Sequence, residues 1–193
     1  ITHEDLWTGA QQYANYRSTT GFNVALVDVD QLYDQFAWGV RKHPAAIRRF
    51  NDKLYDISDR QRIMFLIGKS IHYPEIRNNS TLMAECLVPS AGYLSSDNLL
   101  TAGLAETIFE PLVGTGRLSV STEEGVLNYL EKVMQYESNP PEEWMKSVIH
   151  FGGGTSASQQ QTFAYYLSNY ESIIVDTLFG GRVSTFLKTS SEP

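Results

Sequence analysis

Short runs rich in β-branched residues recur between segments of helical spacing, and this alternation limits the fold more than any other feature of the chain. Residues 22–28 (FNVALVD) and 63–68 (IMFLIG) each read as a buried strand, as do 146–151 and 172–176. Between them lie helical patterns. Thr2 is placed to cap a first helix carrying Leu6, Trp7, Ala10, Tyr13 and Ala14, which ends near Gly21. Asp28 and Asp30 precede a short helix over 31–38 that Gly39 terminates, and they are better placed to cap it than to bind a cation with Asp34. Pro44 opens a helix with Ile47, Phe50 and Leu54 on one stripe. Residues 69–115, punctuated by Pro74, Pro89, Gly92, Gly103 and Pro111, read as loops around short strands. Order returns at Gly116-Arg117-Leu118-Ser119-Val120, and Ser121 with Glu124 forms a capping box for a helix through Val126, Leu130 and Met134. Pro140-Pro141 then breaks the chain, and a helix is expected over 158–169. Strands alternating with helices predict an α/β, doubly wound, largely parallel sheet with helices on both faces. The proline pair divides it into a first subdomain, 1–139, and the incomplete start of a second, 140–193.

Charge and cysteine usage exclude several functions. With 15 Lys+Arg against 22 Asp+Glu the net charge is −7, which argues against a general phosphate-binding surface and hence against nucleic acid. No apolar run approaches the roughly 20 residues of a membrane-spanning helix, so no membrane insertion is expected. The one cysteine, Cys86, can form neither an internal disulfide nor a thiolate-rich metal site. It lies among apolar residues with no nearby histidine, which favours a buried structural thiol over a nucleophile. His3, His43, His72 and His150 show no metal-ligand spacing, so no metal and no cofactor are expected. His43 reads as a helix-entry residue and His150 as a core or edge residue of its strand. The chain opens on Ile1 without Met, carries no leader pattern, and stops at Ser190-Ser191-Glu192-Pro193 directly after an apolar stretch, which leads us to expect a piece of a longer protein.

The sharpest local motif is Gly152-Gly153-Gly154-Thr155-Ser156-Ala157, between an expected strand and an expected helix. It fits G-x-G-x-x-A, and Asp176 at the end of the next expected strand could receive a ribose, so a dinucleotide site stands as one reading. Gln159-Gln160-Gln161, where small apolar residues usually pack, weighs against it.

Several stretches, taken in order, resemble the gingipain family of cysteine peptidases. They are Gly21-Phe22-Asn23-Val24, Val27-Asp28-Val29-Asp30-Gln31-Leu32-Tyr33-Asp34-Gln35-Phe36, Gly39, Pro44-Ala45-Ala46-Ile47-Arg48, Ser96-Asp97, Gly116-Arg117-Leu118-Ser119-Val120, Thr122-Glu123-Glu124, Lys132, Tyr136-Glu137 and Trp144. The resemblance runs from about residue 17 to 145 and more loosely to 178. It implies a caspase-like fold and a family that includes sortase-like proteins of the type IX secretion system. In such proteins the catalytic His and Cys follow the strand placed here at 172–176. No His occurs after His150 and no Cys after Cys86, so the resemblance implies an N-terminal part without the dyad and no catalytic residue in this chain. It implies partners in the remainder of a parent chain and in a protein or peptide substrate, and a cell-surface or secreted location. Gly153, Gly154, Thr155 and Ser156 would then line the substrate cleft. Family members carry an acid near the end of the strand at 146–151, and Arg-specific members another near 156–160; neither is present here. A catalytically silent relative that binds partners or assists secretion is therefore a further reading.

Overall fold

The structure, a computed structural model, describes residues 1–57 and 63–188. The terminal Ser190-Ser191-Glu192-Pro193 lies outside the described residues. The chain divides into two compact units, Ile1–Tyr136 and Glu137–Pro193.

In the first unit a short 3-10 turn, Glu4–Leu6, runs into α1, Trp7–Thr19. His3, not Thr2, caps this start: its Nδ1 accepts from the Asp5 N–H. Thr2 is instead fully buried and serves as sheet. It bridges Asp28 on one side and Ile67 on the other, both in parallel. Residues 22–28 form no strand: among the described residues their pairing with Thr2 is a single bridge at Asp28, with Thr2 N–H donating to Val27 O and Val29 N–H to Thr2 O. α2, Val29–Phe36, begins directly at its cap, Asp28, whose carboxylate accepts from the Asp30 N–H. α3 spans Ala45–Ile57, and His43 caps it through Ala45 N–H, as its position before Pro44 suggests.

β1, Ile63–Ile67, follows the expected strand closely. The stretch to the next strand departs from expectation, because it holds two short helices, α4 at Tyr73–Ile76 and α5 at Ser80–Glu85, and a 3-10 turn at Asp97–Leu100. Asn79 drives α5, since its Oδ1 accepts from both Thr81 and Leu82 N–H. β2, Gly114–Leu118, pairs in parallel with β1, Phe65 opposite Gly116. α6, Glu123–Ser138, is capped by Thr122, whose hydroxyl takes the Gly125 N–H, one residue later than the expected cap Ser121.

Helices cover both faces of this sheet. On the Phe65 side the rings of Tyr13 (α1) and Tyr129 (α6) lie 5.1 and 6.0 Å from Phe65. Gly9 lets α1 approach α6, since a Cβ there would lie 3.0 Å from that of Val126. On the opposite face Met64 meets Asn51 of α3. Leu6, Val29, Leu32, Tyr33, Ile47, Leu66, Val88, Leu100 and Val126 form one continuous core.

The second unit is built on β3, Ser147–Gly152, α7, Ala157–Ile174, and β4, Arg182–Leu187, with β3 and β4 parallel. Residues 172–176 are not a strand. Residues 170–174 prolong α7 by more than a turn beyond the expected helix, because helix propagation outweighs the β-preference of Ile173 and Ile174, and Val175 is the C-cap. The helix ends at Ile174, and the turn after it closes at Gly180-Gly181, where Gly180 N–H bonds Asp176 O and Gly181 N–H bonds Ile174 O. Among the described residues of this unit only His150, Gly152 and Gly181 are buried.

Candidate functional site

Residues 153–156 leave the C-terminal end of β3 and enter α7, so the four candidate cleft residues share one turn. Ser156 caps the helix by accepting the Gln159 N–H (3.3 Å). Gln159 folds back in turn, its Oε1 accepting from Thr155 N–H and Thr155 Oγ1 at 2.9 and 2.8 Å. Gln160 Nε2 donates to Gly154 O. Only one glycine here meets a conformational demand: Gly154 has φ +124°, and a Cβ would sit 3.0 Å from Gln160 N. Gly153 has open space where a Cβ would stand.

This construction removes the dinucleotide reading. The donor that a phosphate would need at Thr155 is already held by Gln159. Asp176 closes a turn through Leu178 N–H rather than ending a strand. The 18 residues of α7 separate it from the glycines by about 27 Å of helix.

Beside the turn lies a cavity of about 380 Å³ lined by Phe151, Gly153, Phe163, Tyr166, Leu167 and Tyr170. Four of these are one stripe of α7 at i, i+3, i+4 and i+7, a spacing that the sequence carries but that the motifs above do not include. Phe151, three-quarters exposed, stacks on Phe186 of β4 at 5.5 Å. His150 is buried in β3, and its Nδ1 has no partner.

Cys86 is fully buried at the end of α5, its N–H given to Leu82 O. Burial, with Cys86 and Asp30 close by, pushes the Tyr33 phenol up from its ordinary range. A thiol so enclosed has no route to a peptide carbonyl. His3 and His43 are helix-entry caps, and His72 stands beside Tyr93 with 5.6 Å between ring centroids. Among the described residues no group of three or more His, Cys, Asp or Glu could hold a metal ion.

At the C-terminal ends of β1 and β2, Arg117 gathers the loops. Nε and Nη2 clasp both oxygens of Asp97 at 2.7 Å, Nη1 reaches Gly68 O and Val88 O, and Nη2 reaches Pro89 O. Thus Ser96-Asp97 and Gly116-Arg117, separate motifs in the sequence, are two halves of one structural clasp. Gly68 admits it: φ is +144° and a Cβ would fall 2.9 Å from Val88 Cγ2.

The family model of peptidase family C25 matches residues 1–190. A solved structure described as that of a protease superposes with a TM-score of 0.61 at 17% identity, over 97% of this chain and 39% of that one. A second, the crystal structure of dimeric latent PorU from Porphyromonas gingivalis, superposes with a TM-score of 0.57 at 16% identity, over 86% of this chain and 21% of that one. Both likenesses concern the fold, and the chain spans well under half of either protein. No curated protein matches the sequence. Parallel strands covered by helices, the Arg117–Asp97 clasp joining two of the quoted motifs, and a family match along nearly the whole sequence lead to one conclusion: the chain belongs to peptidase family C25, the gingipain family.

Proposed function

We propose that this chain is the N-terminal part of a gingipain-like cysteine endopeptidase or sortase-like protein, contributing scaffold and one wall of the substrate cleft and inactive alone. One contrast carries the reading: the only thiol is sealed in the core of the first unit, whereas residues 153–156 stand open at the C-terminal end of a parallel strand. Ligands of open parallel sheets bind at that end. In the complete protein a thiolate attacks the peptide carbonyl, with histidine as general base and then acid, and backbone N–H groups hold the oxyanion. The residues of this chain position that chemistry. Gln159 and Ser156 fix the turn, and Gly153 leaves room for a bound polypeptide. The partners are the remainder of the parent chain and a protein or peptide substrate, at the cell surface or after secretion by the type IX route.

One observation favours a catalytically silent relative that binds partners instead. Where the family resemblance leads one to expect an acid orienting the catalytic imidazole, this chain has Gly152-Gly153-Gly154-Thr155. A photo-crosslinking residue at Thr155 of the full-length protein tests the cleft. Capture of a peptide substrate with turnover supports the peptidase, and capture without turnover supports the silent relative. No capture at Thr155 under conditions of turnover removes the cleft role.

A further inference from the structure

We propose that the groove bordered by residues 22–27 and by the first half of β1 receives a β-strand, and that this strand is the stretch of the parent chain joined directly to Ile1. The inference rests on the proposed function only for a parent chain longer than this one, and nothing in it depends on the cleft. Ile1 and Thr2 carry it, because they are already two rungs of such a strand. Thr2 bridges Asp28 and Ile67, both in parallel. Its N–H donates to Val27 O and its O accepts from Val29 N–H, so Thr2 bonds the 22–28 side. Ile1 bonds the opposite side. Its nitrogen donates to Phe65 O at 2.8 Å, and its O accepts from Ile67 N–H at 2.9 Å. Consecutive residues that bond alternate neighbours are the pattern of a central strand in a parallel sheet. Covalent continuity selects the occupant: Ile1 is in β register between both neighbours, so the residue attached to its nitrogen enters the groove.

Alternation fixes the register. The first residue before Ile1 falls between Leu26 and Phe65 and bonds the 22–28 side, where Ala25 O and Val27 N–H face it. The second falls between Ala25 and Met64 and bonds β1, at Ile63 O and Phe65 N–H. The third falls between Val24 and Ile63 and takes the Ala25 N–H. Among the described residues, the N–H groups of Ala25 and Val27 have no backbone partner. The bordering side chains are apolar but open: Phe22, Val24 and Ile63 are 48%, 37% and 67% exposed. Beside the two rungs that are filled, Thr2 and Leu66 are fully buried. Exposure thus falls away where the strand begins. The entering side chains point alternately to the Phe65 face, where Tyr13 and Tyr129 pack, and to the Met64 face, under α3. A parallel strand covered on both faces is apolar throughout, so the three residues before Ile1 are uncharged and chiefly Val, Ile, Leu or aromatic. Burial that holds a free Ile1 amine down at about 5 also favours a peptide nitrogen there, which carries no charge to desolvate. The completed sheet has the order 22–28, entering strand, β1, β2, with all strands parallel.

The test is hydrogen exchange of the full-length protein, resolved to single amides. The expected result is exchange at Ala25, Val27 and Phe65 about 100-fold or more slower than at unbonded loop amides, with an uncharged apolar run directly before Ile1. Proline in place of the residue joined to Ile1 removes the donor to Ala25 O and should quicken exchange at Ala25 and Val27 about tenfold, whereas alanine there should not. Rapid exchange at Ala25 and Val27 in the unmodified protein overturns the inference, whether or not the proline variant folds. Slow exchange that the proline leaves unchanged assigns the groove to another strand and also overturns it. A charged residue among the three before Ile1, or a mature protein whose first residue is Ile1, does the same. No turnover is read in this experiment. Rapid exchange here therefore leaves the cleft reading standing, and loss of the cleft role at Thr155 leaves this strand standing.

Discussion

Cutting the clasp at Arg117 should cost more than any other exchange outside the apolar core. Arg117 and Asp97 are only 12% and 23% exposed at their side chains, so salt screens the pair weakly. Arg117→Met keeps the apolar stem and removes every donor. It strands the carboxylate of Asp97 and leaves Gly68, Val88 and Pro89 carbonyls without their partner. Breaking a largely buried pair of this kind costs about 3 kcal/mol. For a domain of this size that corresponds to a fall in Tm of about 6–12 °C. Asp97→Asn keeps the shape and loses the charge, and should cost about 2 kcal/mol. Because the two changes remove the same interaction, the double variant should fall short of their sum by about 1–2 kcal/mol in urea unfolding. Hydrogen exchange should quicken at Leu87 and Ser96, whose N–H groups bond Lys69 O and Ala91 O in the clasped loops. Strict additivity of the two single variants, or unchanged exchange at those amides, would refute the clasp as the device that orders these loops.

Other expectations concern the thiol, the turn and the chain start. Cys86 should resist a thiol reagent in the folded chain and react at the rate of unfolding, whereas immediate stoichiometric labelling would contradict its burial. Gly153→Ala should leave urea stability within about 0.5 kcal/mol or raise it slightly, while Gly154→Ala should lower it by about 1–2 kcal/mol through its positive φ. In a chain whose α-amine is that of Ile1, burial, reinforced by Arg117, lowers this amine from 8.0 to about 5. The unfolded chain therefore binds a proton between these values that the folded chain does not, so the contribution is complete above pH 8 and is lost as pH falls toward 5, about 4 kcal/mol in all. Denaturant midpoints across that window should lose this slope once the amine is acetylated.

The fold was legible where one segment decides its own structure. β1, β3, α3 and α6 lie close to their sequence-based positions because their hydrophobic periods and turn residues agree. It was illegible where a distant partner decides. Residues 22–28 have the composition of a strand, but among the described residues they make a single bridge, Asp28 to Thr2, and no local pattern carries that information. Ile173 and Ile174 have the preferences of a strand, but helix propagation from Ser156 carries them into α7, and β4 gives only a weak strand signal because its polar residues interrupt the apolar run. The candidate turn is contiguous in sequence, so its residues were found together. The aromatic cavity was not, because Phe151 meets the α7 stripe only after the chain has reversed direction. Arg117 and Asp97 are 20 residues apart, and each looked like an isolated motif.

Whether this chain is scaffold or catalyst comes down to which cysteine does the chemistry. A peptidyl chloromethyl ketone applied to the full-length protein, followed by digestion and mass spectrometry, reads that directly. The predicted result is an adduct on a cysteine outside this chain's sequence, with Cys86 unmodified and Cys86→Ala without effect on labelling. An adduct on Cys86, abolished by Cys86→Ala, would contradict the scaffold role.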